Sequence, residues 1–80
     1  MKEEIKKVIG SRLKLIRIEN NDTIESLSKK INISATTIWR YEKGKSDMTI
    51  DNIYKILNCY NVNSSIFFEQ VNAKMHRTEG

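Results

Sequence analysis

A run of small, hydroxyl-bearing and cationic side chains lies near the middle of this 80-residue chain. Its members are Ser34, Ala35, Thr36, Thr37, Arg40 and Lys43. Arginine and lysine bind phosphate oxygens, an arginine fork matches the acceptor edge of guanine, and small apolar groups contact the thymine methyl. If these side chains share one exposed helix face, they can contact a duplex nucleic acid through both its backbone and its bases.

Two short helices joined by a tight turn are predicted over Thr23–Glu42, and they would position this run. Ile24, Leu27 and Ile31 recur at helical spacing, so they form one buried face of the first helix. Asn32 follows them, and asparagine tolerates the left-handed backbone conformation that a tight turn needs.

The second helix of the pair is predicted to begin after Ser34, a residue type that caps a helix by accepting a hydrogen bond from a free amide. Ile38 and Tyr41 lie three residues apart, so they share a face that points back toward the first helix. Thr36 and Arg40 then point outward with the rest of the polar run. This arrangement predicts that the helix 34–42 enters a DNA groove.

The charge of the chain is concentrated in the half that contains this helix. Residues 1–45 carry 11 Lys and Arg against 6 Asp and Glu, a net charge of +5, whereas residues 46–80 carry 3 against 4, a net charge of −1. A basic surface attracts phosphates in a salt-dependent way. For any individual lysine, a solvated position on the back of a helix is the simpler interpretation.

The chain is predicted to form one domain over residues 1–80, with an ordered core of about residues 4–71 and a loose C-terminal tail. A domain of this size buries only about 60% of its unfolded surface, so dimerisation would help to stabilise it. The single Cys59 excludes an internal disulfide and, with no secretory segment, fits a cytoplasmic protein. No apolar run approaches the roughly 20 residues that span a membrane.

Three further helices are predicted from apolar periodicity, which gives an all-α, compact five-helix bundle. The first buries Ile5, Val8, Ile9, Leu13 and Ile16 and ends at residues 20–22. The fourth is capped by Thr49, buries Ile50, Ile53, Ile56, Leu57 and Tyr60, and ends at Asn61. The fifth is expected to be short and to begin at Asn63 or Ser64, and Gly44 suits a left-handed C-cap after the third helix.

From about residue 9 to residue 68 the chain resembles the Cro/C1-type helix-turn-helix family, also called XRE-like. The positions that carry the resemblance are Ile9-Gly10, Leu13, Arg17, Leu27, Ile33-Ser34, Ile38, the run Tyr41–Lys45, Thr49-Ile50, Ile53 and Ile56. The resemblance implies a lambda-repressor-like fold that binds double-stranded DNA as a homodimer, mostly as a transcriptional regulator.

The resemblance also implies a structural ion pair between Arg17 and Glu42, which would tie the first helix to the end of the third. An arginine fork matches a carboxylate in planar geometry, so the pair would set the angle of the third helix. Two unrelated surface charges are the alternative.

Some positions depart from the family pattern. Ile24 stands where the family usually has glutamine, so one polar contact beside the DNA backbone is missing. Asp47–Ile50, the pair Phe67 and Phe68, and the short length resemble the controller proteins of restriction–modification systems. Those controllers usually carry Arg, Thr and Tyr where residues 35–37 of this chain are Ala, Thr and Thr.

Three residues are expected to approach the base edges of a pseudo-palindromic operator, and two more lie beside them. Ala35, Thr36 and Arg40 would make the contacts, with Ser34 and Thr37 beside them. Arg40 is the one strong hydrogen-bonding reader, and a phosphate contact is its alternative role. Because few direct contacts are available, DNA shape is expected to contribute to specificity.

Contacts to the DNA backbone are expected from Lys43 and Lys45. Trp39 has two interpretations. It either lies over the sugar-phosphate backbone or packs half-buried against a neighbouring helix, and packing is slightly favoured.

A dimer interface is predicted at Ile66, Phe67 and Phe68. Too little core remains near the end of so small a fold to bury all three, and an exposed apolar patch favours self-association. Their alternative role is to close the core of the monomer.

Enzymatic and metal chemistry are not expected. His76 is the only histidine and Cys59 the only cysteine, and neither has a second ligand or a base partner at a recognisable spacing. No cofactor or small-molecule ligand is expected. The rival function is that of an antitoxin or antirepressor-like module that binds another protein, which the residue at Ile24 favours and the basic first half disfavours.

Overall fold

The structure, a computed structural model, describes residues 1–77 and contains five α-helices and no strand within that range. The helices are α1 (Glu3–Glu19), α2 (Ile24–Ile31), α3 (Ala35–Glu42), α4 (Ile50–Cys59) and α5 (Ser64–Arg77). The predicted all-α, five-helix fold is confirmed. Every helix in this part of the chain is too short or too polar to span a lipid bilayer.

Four helices begin at a side chain that caps the first turn. The hydroxyl oxygens of Thr23, Ser34 and Thr49 each accept a hydrogen bond from the backbone N–H three residues later, at 3.0–3.1 Å. Asn63 Oδ1 accepts from the N–H of Ile66 at 3.0 Å. Each bond satisfies an amide that the helix itself leaves without a partner. The predicted caps at Ser34 and Thr49 are confirmed, and α5 begins after Asn63.

Left-handed residues turn the chain after the first four helices. Asn21, Asn32 and Asn61 have φ values of 54°, 56° and 55°, and Gly44 has a φ of 66°. Asparagine and glycine adopt this region at lower cost than other residues do. The left-handed turns predicted at Asn32 and Gly44 therefore form, and the helix ends predicted near Asn21 and Asn61 have the same conformation.

The core lies where α1 packs against α3 and α5 and where α2 packs against α3 and α4. The buried apolar side chains are Ile9, Leu13, Ile16, Leu27, Ile33, Ile38, Tyr41, Met48, Ile53, Ile56, Leu57, Phe67 and Val71. The prediction that Ile50 is buried is wrong, because its side chain is 62% exposed. Ile50 is the first residue of α4 and lies one turn before the first buried position of that helix.

The last helix is longer than the short fifth helix expected from the sequence. α5 continues to Arg77, so residues 72–77 are helical where a loose tail is predicted. Phe67, Val71 and Met75 recur every four residues and pack on the core, and this stripe explains the extension. The remainder of the predicted tail, residues 78–80, lies outside the described residues.

Candidate nucleic-acid interface

The turn between α2 and α3 is fixed by burial and by one short hydrogen bond. Ile33, directly after the left-handed Asn32, is buried. Ser28 Oγ in α2 donates to the backbone carbonyl of Ile33 at 2.6 Å. Because Ser34 caps α3 one residue later, the turn sets both the position and the start of that helix.

The inner side of α3 is fully engaged by the rest of the protein. Ile38 and Tyr41 are buried in the core. The Tyr41 hydroxyl also accepts a hydrogen bond from Asn52 Nδ2 at 2.8 Å, which ties α3 to α4. A helix held in this way presents its opposite side rigidly.

The outer side of α3 is open to solvent. Thr36 and Arg40 are exposed, and Ala35 and Thr37 are half-buried. The exposed Ser34 hydroxyl donates to Thr37 Oγ1 at 2.8 Å, so these two side chains hold each other at the start of the helix. The one carboxylate of α3, that of Glu42, points inward and is buried. The exposed face is therefore polar and cationic, which suits an anionic partner.

Trp39 is exposed at the far end of α3 and lies beside two lysines. Its side chain is 42% exposed. Lys45 Nζ lies 5.2 Å and Lys43 Nζ 6.0 Å from the centroid of its indole ring. These are cation–π distances. Trp39 is therefore more exposed than the half-buried packing that the sequence slightly favoured, and its contact with DNA stays a prediction.

The structure brings Arg17 of α1 and Glu42 of α3 together in a two-pronged ion pair. Arg17 Nε donates to Glu42 Oε2 at 2.7 Å, and Nη2 donates to Oε1 at 3.0 Å. The two side chains are only 11% and 4% exposed. The hydrogen bond to Glu42 raises the pKa of Arg17. Arg17 Nη1 also donates to the carbonyl of Asp22 at 2.7 Å, so one side chain joins α1, the following turn and α3.

Asp22, in the turn after α1, is a second residue that joins separate parts of the fold. Its Oδ2 accepts from Lys30 Nζ and from the Tyr60 hydroxyl, each at 2.8 Å. The hydrogen bond from Lys30 is the main cause that holds the pKa of Asp22 well below its ordinary range. Burial and the bond to Asp22 raise the pKa of Tyr60. The sequence gives no local signal for this contact, because Tyr60 is distant from Asp22 along the chain.

The three residues predicted to form a dimer interface have different environments. Phe67 is only 1% exposed, so its assignment to an exposed patch is corrected: it fills the core of the monomer. Phe68 is half-buried and packs edge-on against Phe67, with ring centroids 5.1 Å apart. Ile66 is 54% exposed. An exposed surface at this end of the fold therefore consists of Ile66 and part of Phe68.

Two short helices joined at a left-handed asparagine, the second with a buried apolar side and an open cationic side, define a helix-turn-helix protein. A family model for helix-turn-helix proteins matches residues 13–67. The chain belongs to this XRE-type helix-turn-helix family of DNA-binding transcriptional regulators. Among curated protein sequences, no significant match to the chain is found.

Solved structures of similar fold include the restriction–modification controller protein C.Esp1396I, determined as a tetramer in complex with its natural 35 base-pair operator. It is 28% identical over 86% of this chain and 91% of that chain, with a TM-score of 0.76. A single-residue variant of the same controller gives a TM-score of 0.81 at 27% identity, over 94% and 95% of the two chains. The clp gene regulator ClgR from Corynebacterium glutamicum gives 0.84 at 12% identity, over 94% of this chain and 80% of that one, and shares the fold.

Proposed function

We propose that this protein is a sequence-specific, controller-type transcriptional regulator that binds as a homodimer to a pseudo-palindromic operator, with α3 in the major groove. The observation that carries the proposal is the two-sided character of α3. Its inner side is locked by Ile38, Tyr41 and Glu42, while Thr36 and Arg40 are open to solvent. The similarity to C.Esp1396I, a controller solved on its operator, supports this function.

Base recognition in this proposal falls to the first half of α3 and to Arg40. Arg40 donates to the O6 and N7 atoms of a guanine, which is the commonest specific contact in the major groove. Ala35 and Thr36 contact thymine methyl groups, and Ser34 and Thr37 lie beside them. Since only Arg40 is a strong reader, the deformability of the operator supplies part of the specificity.

Backbone contacts in this proposal come from the far end of α3 and the residues after it. Lys43 and Lys45 bind phosphates, and Trp39 lies over a sugar between them. The grouping of both ammonium groups around the exposed indole supports this assignment. Such contacts fix the register of the protein on DNA but carry no sequence information.

The dimer in this proposal is formed through Ile66 and the exposed part of Phe68. It places two α3 helices roughly 34 Å apart, one turn of DNA, on one face of the operator. A charge at this surface should prevent association, so Ile66→Glu should remain folded and sediment as a monomer. A wild-type protein that is already monomeric at micromolar concentration on its operator would contradict the dimer.

The experiment that tests the function is selection of bound sites from random duplex DNA, followed by affinity measurements on the selected operator and its single-base variants. Arg40→Ala should lose about 1–3 kcal/mol and relax the preference at one base pair. Lys55→Ala, which removes an exposed lysine of α4 outside the proposed interface, is the matched control and should bind as the wild type does. An equal loss on every sequence would make Arg40 a phosphate contact. A wild-type protein that binds no duplex in dilute salt would refute the function.

A further inference from the structure

Lys7 of α1 lies directly against the turn that follows α3, although it precedes Gly44 by 37 positions in the chain. A Cβ built on Gly44 would lie 2.9 Å from Lys7 Cγ and 3.0 Å from Lys7 Cα. The absence of a side chain at Gly44 is therefore what allows α1 to approach. The Cα and Cγ atoms of Lys7 therefore face Gly44, whose neighbours in the chain are Lys43 and Lys45.

Lys43 and Lys45 flank Gly44 in the chain, and Lys7 contacts it from α1, so we call Lys7, Lys43 and Lys45 the Gly44 cluster. All three side chains are exposed. None of them forms an ion pair within residues 1–77, whereas Lys6, Arg17 and Lys30 each contact a carboxylate. The cluster therefore concentrates uncompensated positive charge beside the exposed face of α3.

We propose that Lys7 is a further phosphate-binding residue, which acts with Lys43 and Lys45 on the DNA strand that flanks the groove occupied by α3. This inference rests on the proposed function, because it places Lys7 at the edge of the same interface. Lys7 comes from α1, so the contact joins the first helix of the fold to the DNA backbone. It adds affinity for any duplex and does not select a sequence.

A purely structural role for Lys7 gives a different result. Cations near the C-terminal end of a helix stabilise it through the helix dipole, and the Lys7 stem covers Gly44. Loss of that role would lower the melting temperature without changing how DNA binding depends on salt. The salt dependence of binding therefore separates the two roles.

The test compares Lys7→Gln with the wild type on the selected operator and on an unrelated duplex, at several NaCl concentrations. Each phosphate contact contributes about 0.9 to the slope of log affinity against log salt concentration. Lys7→Gln should lower the slope by about that amount on both duplexes, so between 50 and 200 mM salt the wild type should lose about 3.5-fold more affinity than the variant. Lys7→Arg keeps the positive charge and should have the wild-type slope of log affinity against log salt concentration. Lys55→Gln, the control, should also have the wild-type slope.

A double variant makes the test stricter. Lys7→Gln combined with Lys43→Gln should lower the slope by about 1.8, since each lysine binds its own phosphate. If the wild type binds the operator and Lys7→Gln has the wild-type slope, the inference about Lys7 is overturned while the proposed function stands. If the wild type binds neither duplex, the proposed function itself fails.

Discussion

The buried ion pair between Arg17 and Glu42 permits a strong test of how this small fold is held together. Glu42→Gln keeps the shape of the side chain but removes its charge and replaces one acceptor oxygen with a donor. Both carboxylate oxygens accept from Arg17 in the native protein. The variant therefore leaves a guanidinium that is 11% exposed without its counter-charge.

The expected cost is large relative to the stability of the domain. Removal of one partner from a buried pair destabilises a protein by about 3–5 kcal/mol. A chain of 80 residues has a total stability of about 4–12 kcal/mol, at about 0.05–0.15 kcal/mol per residue. At about 4–8 °C per kcal/mol for a domain of this size, the melting temperature should fall by at least about 12 °C.

Urea denaturation, monitored by circular dichroism, measures this loss of unfolding free energy. A double variant separates the contribution of the unpaired charge from that of side-chain packing. Replacement of both partners by apolar residues, Arg17→Met with Glu42→Leu, removes the uncompensated charge, so this protein should be more stable than Glu42→Gln. A loss below about 1 kcal/mol for Glu42→Gln, the value of an exposed pair, would refute the argument that this pair is buried and structural.

Three further predictions concern other junctions of the fold. Gly10→Ala should lose at least about 1–3 kcal/mol in urea denaturation, because the new Cβ overlaps the carbonyl oxygen of Tyr41, whereas Ser11→Ala should not. The stability of the wild type should begin to fall as the pH drops below about 4, the ordinary pKa of an aspartate in the unfolded chain. The folded-state pKa of Asp22 is lower than that, so the stabilisation by its carboxylate is complete above the unfolded pKa and is lost as the pH falls toward the folded-state pKa. Asp22→Asn should reduce the fall in melting temperature between pH 6 and pH 2. An unchanged pH dependence of the melting temperature would contradict the stabilising role of Asp22. Thr49→Ala should lose about 1 kcal/mol by removing the cap of α4, and Thr49→Ser should retain most of it.

The number of helices, the caps of α3 and α4 and the turn between α2 and α3 follow from short-range signals in the sequence, whereas the C-terminal end of α5 was not predicted. A cap such as Ser34 or Thr49 bonds to an amide three residues later, and Asn32 turns the chain by its own backbone preference. Neither signal depends on distant parts of the molecule. The apolar spacing of α2 and α3 also predicted which side of α3 is covered, and hence that Thr36 and Arg40 are open to solvent. The contacts of these residues with DNA stay predictions.

The environment of side chains at the ends of helices was decided by the tertiary structure. Periodicity places Ile50 on the inner face of α4, but it cannot tell that the buried part of this helix begins only one turn later, at Ile53. The same limit applies to Phe67 and Ile66, adjacent residues of which one is buried and one exposed. Trp39 is exposed although its neighbour Ile38 is buried. Burial depends on where neighbouring helices stop, which the pattern within one helix does not contain.

Contacts between residues distant in the chain could likewise not be predicted from local patterns. The bond between Asp22 and Tyr60, and the approach of Lys7 to Gly44, join residues more than 30 positions apart in the chain. The sequence by itself determined the helices, their caps and the polar face of α3, because those depend on residues within a few positions of one another. Only the packing of α1 against α3 and of α2 against α4 determined which charges are paired within residues 1–77, because that choice depends on distances between helices.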